Sequence, residues 1–344
     1  MILTSKMNDV QNIDLKGIED IIREYDKFVV AAHVFPDGDN VGSMIAMKLI
    51  LDQLGKETYL YLETTIPRIY TWLEGCDEIN HIVPPDLPET FDVLITLDSS
   101  DMERLGDKFL RWFSGSNRPI VNIDHHITNT GFGEYNWVSG DYSATGEQIY
   151  ELAKHLKVKI DHQMAIALYV SIATDSGRFS YSNTTAKTLR YASELVECGA
   201  NPNKAYRNVY ASRSLEALRL EHAVLATLEY VDDLKLAYMY MTREMLETTG
   251  AHVTESDGII EHVGNFGESI RNIIFFKELQ SGEIKVSVRT KDELDASKIS
   301  SLFNGGGHAR AGGYSLKLNL NDAIKASFEK IREAISSGKL LIHN

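Results

Sequence analysis

"KFVVAAHVFPDGDNVGSMIAMKLILDQLG", residues 27–55, holds the pattern that decides the fold. It opens on a short apolar run, breaks into a polar stretch around Pro36–Asp39, and continues as a helical pattern stopped by Gly55. A continuous apolar run of strand length belongs to a strand covered on both faces, and glycine just past a helical pattern is a helix stop. The same unit recurs down the chain. "TYLYLE" (58–63), "FDVLITLDSS" (91–100) and "PIVNIDHH" (119–126) read as strands. "SATGEQIYELAKHL" (143–156), "DHQMAIALYVSIATDSGRF" (161–179) and "TTAKTLRYASELVECGA" (184–200) read as helices. Alternating strand and helix predicts an α/β domain over 1–200, with an open, mostly parallel sheet flanked by helices.

Beyond it, 201–232 reads as helix with no strand signal and is expected to be a helical linker. Residues 233–344 then carry "LKLAYMYMT" (234–242), "RNIIFFKEL" (271–279) and "EIKVSVRT" (283–290), the last two joined by "QSG" as a hairpin turn. A glycine cluster and a helix, "DAIKASFEKIREAISSG" (322–338), complete a smaller α+β domain.

A chain of 344 residues, 43% hydrophobic and 24% charged, has the composition of a globular protein with about two domains. The longest apolar run, "AIALYVSIA" (165–173), falls short of the ~18 residues that span a bilayer. "MILTSKMNDVQN" (1–12) lacks the apolar core of a signal peptide. Two distant cysteines, Cys76 and Cys198, fit a reducing compartment, so a cytoplasmic protein with no membrane partner is expected. The net charge of −14, with lysines and arginines scattered among acids, leaves no basic stripe for long nucleic acid. A nucleotide substrate would be a short one, gripped locally.

Ligands of open α/β sheets bind beyond the carboxyl ends of the strands. His33, Asp37 and Asp39 follow the first strand, Asp98 follows "VLITL", and Asp124, His125 and His126 follow "IVNI". Asp175 falls late in an apolar helical pattern, where an unpaired carboxylate is costly to bury. Taken singly, each has a plain structural role as turn former, helix cap or hydrogen-bonded histidine. Gathered at one sheet edge, the carboxylates would repel one another unless cations were present. Asp37, Asp39, Asp98 and Asp175 carry four negative charges, which two divalent ions balance. With His33 and His125 they supply enough ligands for two ions if one carboxylate bridges and water fills the rest. Imidazole beside carboxylate suits Mn²⁺ or another first-row ion better than Mg²⁺ or Ca²⁺. Two such ions roughly 3.5–4 Å apart form the clamp used for in-line displacement at phosphorus. Further on, the successive glycines of "GGGHARAGG" (305–313) let backbone N–H groups approach an anion, with His308 as an added donor.

"HVFPDGDNVGS", "LDSSD", "NIDHHITNTGFG", "ATDSGRF" and "FNGGGHARAGG", in that order, resemble the DHH/DHHA1 phosphoesterases. Within them they are most similar to the NrnA-like group of bifunctional oligoribonucleases and pAp phosphatases. The resemblance runs from about residue 12 to 338. It implies a DHH catalytic domain, a DHHA1 substrate-binding domain, and hydrolysis of short RNA (nanoRNA) to mononucleotides and of pAp to AMP. It implies that His33 and Asp37 hold one metal, that Asp39, His125 and Asp175 hold the other, and that Asp98 bridges both. Asp124 would orient an imidazole and His126 would protonate the leaving oxygen. Gly305, Gly306, Gly307, His308 and Arg289 would bind the substrate's terminal phosphate or base, with Arg310 and Arg178 as further contacts. The substrate would lie between the domains. Asn40 departs from the family pattern, which has a small residue such as alanine there. The nearest alternative is a phosphodiesterase of linear or cyclic dinucleotides such as pApA or cyclic di-AMP. A family II pyrophosphatase lacks the "GGGH" loop, a RecJ-like exonuclease would want basic surface, and an inactive nucleotide-binding regulator would have lost ligands. A homodimer stays open as an assembly.

Overall fold

In the computed structural model, which describes residues 11–80, 90–211, 214–256, 258–265, 270–291, 294–307, 309–338 and 340, the chain divides into two compact units, Met1–Ser212 and Arg213–Asn344. In the first, β1 (Gln11–Asn12), β2 (Lys27–Ala32), β3 (Glu57–Tyr61), β4 (Ile79–Asn80), β5 (Val93–Leu97), β6 (Ile120–Asp124) and β7 (Tyr135–Val138) form one sheet. Their order is β1-β7-β6-β5-β2-β3-β4, and every pairing is parallel. The central strands are buried on both faces, Phe28 to Ala32 and Val93 to Leu97 throughout, which is why they read as unbroken apolar runs. From β2 the chain moves outward through β3 and β4, then returns to the other side of β2 with β5, β6 and β7. The strand order therefore reverses between β2 and β5. A crevice opens at such a reversal because the connections from the two strands leave toward opposite faces.

Two helices cover the crevice end. The helix Gly38–Gln53 is buried over most of its length and packs against the helix His162–Asp175. Gly42 makes this approach possible: a Cβ there would lie 2.3 Å from the Ala167 carbonyl oxygen. Gly38 similarly abuts Thr174, so the start of the first helix lies against the end of the second. The first helix begins at Gly38, because the Asp37 carboxylate caps it by accepting the Asn40 N–H.

The second unit has β8 (Glu229–Val231), β9 (Leu236–Met241), β10 (Asn272–Glu278), β11 (Ile284–Thr290), β12 (Gly306–Gly307) and β13 (Ala311–Leu316), ordered β12-β13-β11-β10-β9-β8. Among the described residues of this unit, only β9 and β10 pair in parallel. The turn between β10 and β11 places Gly282 at φ +80, which glycine adopts without strain. The helix Leu320–Ser336 buries Ala323, Phe328, Ile331 and Ala334 in the same core as Ile274, Phe276 and Val286.

Residues 201–232 differ from the helical linker expected of them. The helix Pro202–Val209 gives Ala205 and Val209 to the first core, and the helix Leu215–Leu225 gives Leu220 and Val224 to a core of the second unit. Glu229–Val231 is strand β8, paired with β9. Each helix has an apolar stripe, and each stripe is satisfied inside a different unit. No helix among the described residues is long and apolar enough to cross a membrane.

Candidate metal centre and catalytic site

The carboxyl ends of β2, β5 and β6 deliver the side chains. His33, one residue past β2, lies with Nδ1 2.8 Å from the Val34 carbonyl, to which its N–H donates. That leaves Nε2 facing Asp98 Oδ2 at 3.3 Å. Asp98 sits directly after β5 at φ +53, a left-handed conformation that a short polar side chain tolerates better than most. Its other oxygen, Oδ1, is 3.5 Å from His125 Nε2 and 3.5 Å from His126 Nδ1, and Thr145 Oγ1 donates to it at 3.5 Å. The two oxygens of Asp98 thus face two different groups of ligands.

Asp39, fully buried, is held by donors on three elements. Its Oδ1 accepts from Ser171 Oγ at 2.6 Å, Ser43 Oγ at 3.0 Å and the Gly146 N–H at 3.0 Å. Its Oδ2 accepts the Thr145 N–H at 2.7 Å and keeps room for one more partner. Thr145 and Gly146 open the helix Thr145–His155, so the carboxylate also meets the positive end of a helix dipole. His125 Nε2 stands 3.2 Å from Asp175, 3.5 Å from Asp98 and 3.7 Å from Asp39, yet it is buried and makes no hydrogen bond.

That orphaned nitrogen is the test of whether a metal fits. A lone pair or proton buried without a partner is costly, and three carboxylate oxygens around it leave a cation as the natural occupant of the space. His33, Asp37 and Asp98 form one group with ligand atoms within 4.8 Å of one another, and Asp39, His125 and Asp175 form a second. Both fit. The electrostatics agree, since the cluster attracts positive charge by every available route. Burial lowers the His33 imidazole, but Asp98 and Asp37 more than offset it and raise it to about 8. Burial opposes protonation of His125 too, and Asp98, Asp39 and Asp175 raise it to about 10. Asp37, Asp39 and Asp175 are all pushed up, first by burial and then by neighbouring carboxylates. Asp98 alone moves down: burial would raise it, but His125 and His33 prevail.

Asp124 and His126 form a third such group with Asp98 and His125, and they are also bonded to each other. Asp124 Oδ1 lies 2.7 Å from His126 Nδ1, and Asn129 Nδ2 donates to Asp124 Oδ2 at 2.6 Å. The imidazole that Asp124 orients is therefore His126, not His125. Several residues here are not announced as site residues by the sequence. Thr145 and Gly146 hold Asp39, Ser43 and Ser171 do so from the packed helices, and Asn183 Nδ2 donates to the Asp175 carbonyl at 3.1 Å. The small-residue start "SATGE" (143–147), where a helix N-terminus abuts something closely, could have announced the first two. Asn40 is fully buried, and neither polar atom of its amide has a hydrogen-bond partner.

The residues expected to bind substrate fall in two places. Arg178, in the first unit, places its guanidinium 5.2 Å from the Tyr210 ring centroid. In the second unit Arg289 lies on β11 opposite Ala311, and Arg310 is exposed just before β13. Gly306 and Gly307 form β12, paired with Gly313 and Gly312. Gly305 and Gly307 are required by packing, because a Cβ at either would lie 2.2 or 2.3 Å from a carbonyl oxygen of the facing strand. The Gly305 N–H is already committed to the Ser300 carbonyl, which leaves Gly306 as the glycine with open space around it. His308 lies outside the described residues.

Two family models match the chain: "DHH family, N-terminal domain" over residues 27–172 and "DHHA1 domain" over residues 234–336. The chain is 30% identical to the bifunctional oligoribonuclease and PAP phosphatase NrnA of Thermus thermophilus, across 89% of this chain and 90% of that protein. It is 29% identical to the protein of the same name from Bacillus subtilis, across 85% and 90%. Among solved structures, an exopolyphosphatase-related protein from Bacteroides fragilis superposes with a TM-score of 0.85 at 25% identity, covering 93% of this chain and 95% of that one.

Proposed function

The chain belongs to the DHH family of phosphoesterases, with a DHHA1 domain in its second unit, and we propose that it hydrolyses short oligoribonucleotides to mononucleotides and removes the 3′-phosphate of pAp to give AMP. The observation that carries this reading is His125 Nε2, buried and without a hydrogen bond among the carboxylates of Asp39, Asp98 and Asp175. His33, Asp37 and Asp98 would hold one divalent cation, and Asp39, His125 and Asp175 a second, with Asp98 shared and Mn²⁺ as the favoured metal. Two such ions would supply positive charge to the phosphoryl oxygens and acidity to a nearby water.

This chain's own residues do the rest. Water adds to phosphorus as the P–O ester bond breaks, and the departing nucleoside oxygen needs a proton. His126 would give it: Asp124 accepts its Nδ1–H, so the imidazolium form would carry its second proton on Nε2, pass it to the leaving oxygen and take up in turn the proton that the attacking water loses. The Asn129 amide, bonded to Asp124 Oδ2 and to the Ser99 carbonyl, holds that pair in register. In the second unit Arg289, Gly306, His308 and Arg310 would hold the substrate's terminal phosphate. The acidic chain, net −14, suits short substrates rather than long nucleic acid, and a cytoplasmic location suits them too.

Purified protein with Mn²⁺, offered pAp, pApA, cyclic di-AMP and RNA of a few nucleotides side by side, tests the reading. Phosphate release from pAp together with mononucleotides from RNA is expected, and Asp98→Ala should reduce both more than about a hundredfold. Turnover of the dinucleotides alone would replace the bifunctional reading with a dinucleotide phosphodiesterase. Near-normal turnover by Asp98→Ala would reject the mechanism.

A further inference from the structure

Between His33 and Asp37 the chain does something a soluble protein ordinarily avoids. Phe35 is 81% exposed, and its backbone sits at φ +61. The left-handed region is uncommon for a bulky residue, and the following Pro36 further narrows the conformations open to it. Two hydrogen bonds fix this conformation. The Val34 N–H donates to the Arg104 carbonyl at 2.7 Å, and the Phe35 N–H donates to Thr64 Oγ1 at 2.9 Å. The fold thus strains the backbone to hold an aromatic ring out in water, giving up a large apolar gain on both counts. On the loop that carries the other histidines, Ile127 directly follows His126 and is 90% exposed. Apolar side chains therefore stand in solvent on both loops that bear the ligand and proton-donor residues.

We propose that Phe35 is a substrate-binding residue whose ring stacks on a nucleobase of the substrate, the base nearest the scissile phosphate. The inference rests on the phosphoesterase reading above. A base is the flat apolar part of a nucleotide, and an aromatic platform two residues from each of two metal ligands meets it while the phosphate lies on the site. Stacking does not discriminate sequence, since every base has a π-face, and that suits an enzyme that degrades short RNA of any sequence.

The test compares wild type, Phe35→Ala and Phe35→Trp on a ribodinucleotide and on the same dinucleotide made abasic, with Mn²⁺ present. Calorimetric binding of a non-hydrolysable methylphosphonate dinucleotide supplies a second readout. Phe35→Ala should raise KM and weaken analogue binding about five- to a hundredfold, the range for losing one base–aromatic stack, with kcat nearly unchanged. Phe35→Trp should restore both, and on the abasic substrate the three proteins should be alike. Unchanged KM on the ribodinucleotide would overturn the proposal, as would an equal loss on both substrates, which would mark a structural role. A wild-type protein that hydrolyses no nucleotide would instead remove the phosphoesterase reading on which the stack depends.

Discussion

Replacing Gly146 with alanine strikes at the packing that holds Asp39. The added methyl would stand 1.9 Å from Ser171 Oγ and 2.8 Å from Ser171 Cβ. That hydroxyl donates to Asp39 Oδ1 at 2.6 Å, beside the Gly146 N–H at 3.0 Å. Either Ser171 turns away and gives up its bond to the carboxylate, or the start of the helix lifts off Asp39. Overpacking a dense core costs about 1–3 kcal/mol. Loss of a hydrogen bond to a charged group costs about 1.5–3 kcal/mol. Alanine's better helix propensity returns at most about 1 kcal/mol. A net destabilisation of about 2–5 kcal/mol is expected. All three tryptophans, Trp72, Trp112 and Trp137, lie in the first unit, so urea unfolding followed by tryptophan fluorescence reads that unit. In a Ser171→Gly background the obstructing atoms are gone, and the penalty for Gly146→Ala should fall by at least about 1 kcal/mol, the coupling expected of touching residues. A penalty below about 0.5 kcal/mol, or one that persists unchanged in the double variant, would refute the packing argument.

Asn40→Ala removes two buried polar atoms that have no partner, so stability should be unchanged or higher by about 1 kcal/mol in the same unfolding assay; a clear loss would show that the amide is satisfied in solution. Asn129→Ala frees Asp124 and His126 from their register and should lower kcat about 10–100-fold. Metal content, measured by mass spectrometry after desalting, should stay the same, and a loss of metal instead would place Asn129 in support of the ligands.

The strands at the centre of the first sheet were legible because they are buried on both faces. β2, β5 and β6 show as apolar runs, and the carboxylates and imidazoles at their ends can be named from the sequence, because parallel sheets put strand ends together. Their convergence depends on the order reversal between β2 and β5, which no residue pattern states. The short edge strands Gln11–Asn12 and Ile79–Asn80 and the glycine strand Gly306–Gly307 carry too few side chains to leave a period. β13 begins Ala311-Gly312-Gly313, residues depleted in strands, and is held by the ladder to β11 rather than by propensity. The residues missed at the site, Thr145, Gly146, Ser43, Ser171 and Asn129, act through hydrogen bonds set by packing, so their roles exist only once the helices are in place. Phe35 was in plain view within "HVFPDGDN", but its exposure and its left-handed backbone are tertiary facts.

Anomalous diffraction from crystals grown with Mn²⁺ decides most directly whether the acidic rim of the first unit is a two-cation site. Two peaks roughly 3.5–4 Å apart are expected, one against His33 and Asp37, the other against Asp39, His125 and Asp175, with an oxygen of Asp98 reaching each. A single peak elsewhere, or none with the six side chains ordered as they are here, would contradict it.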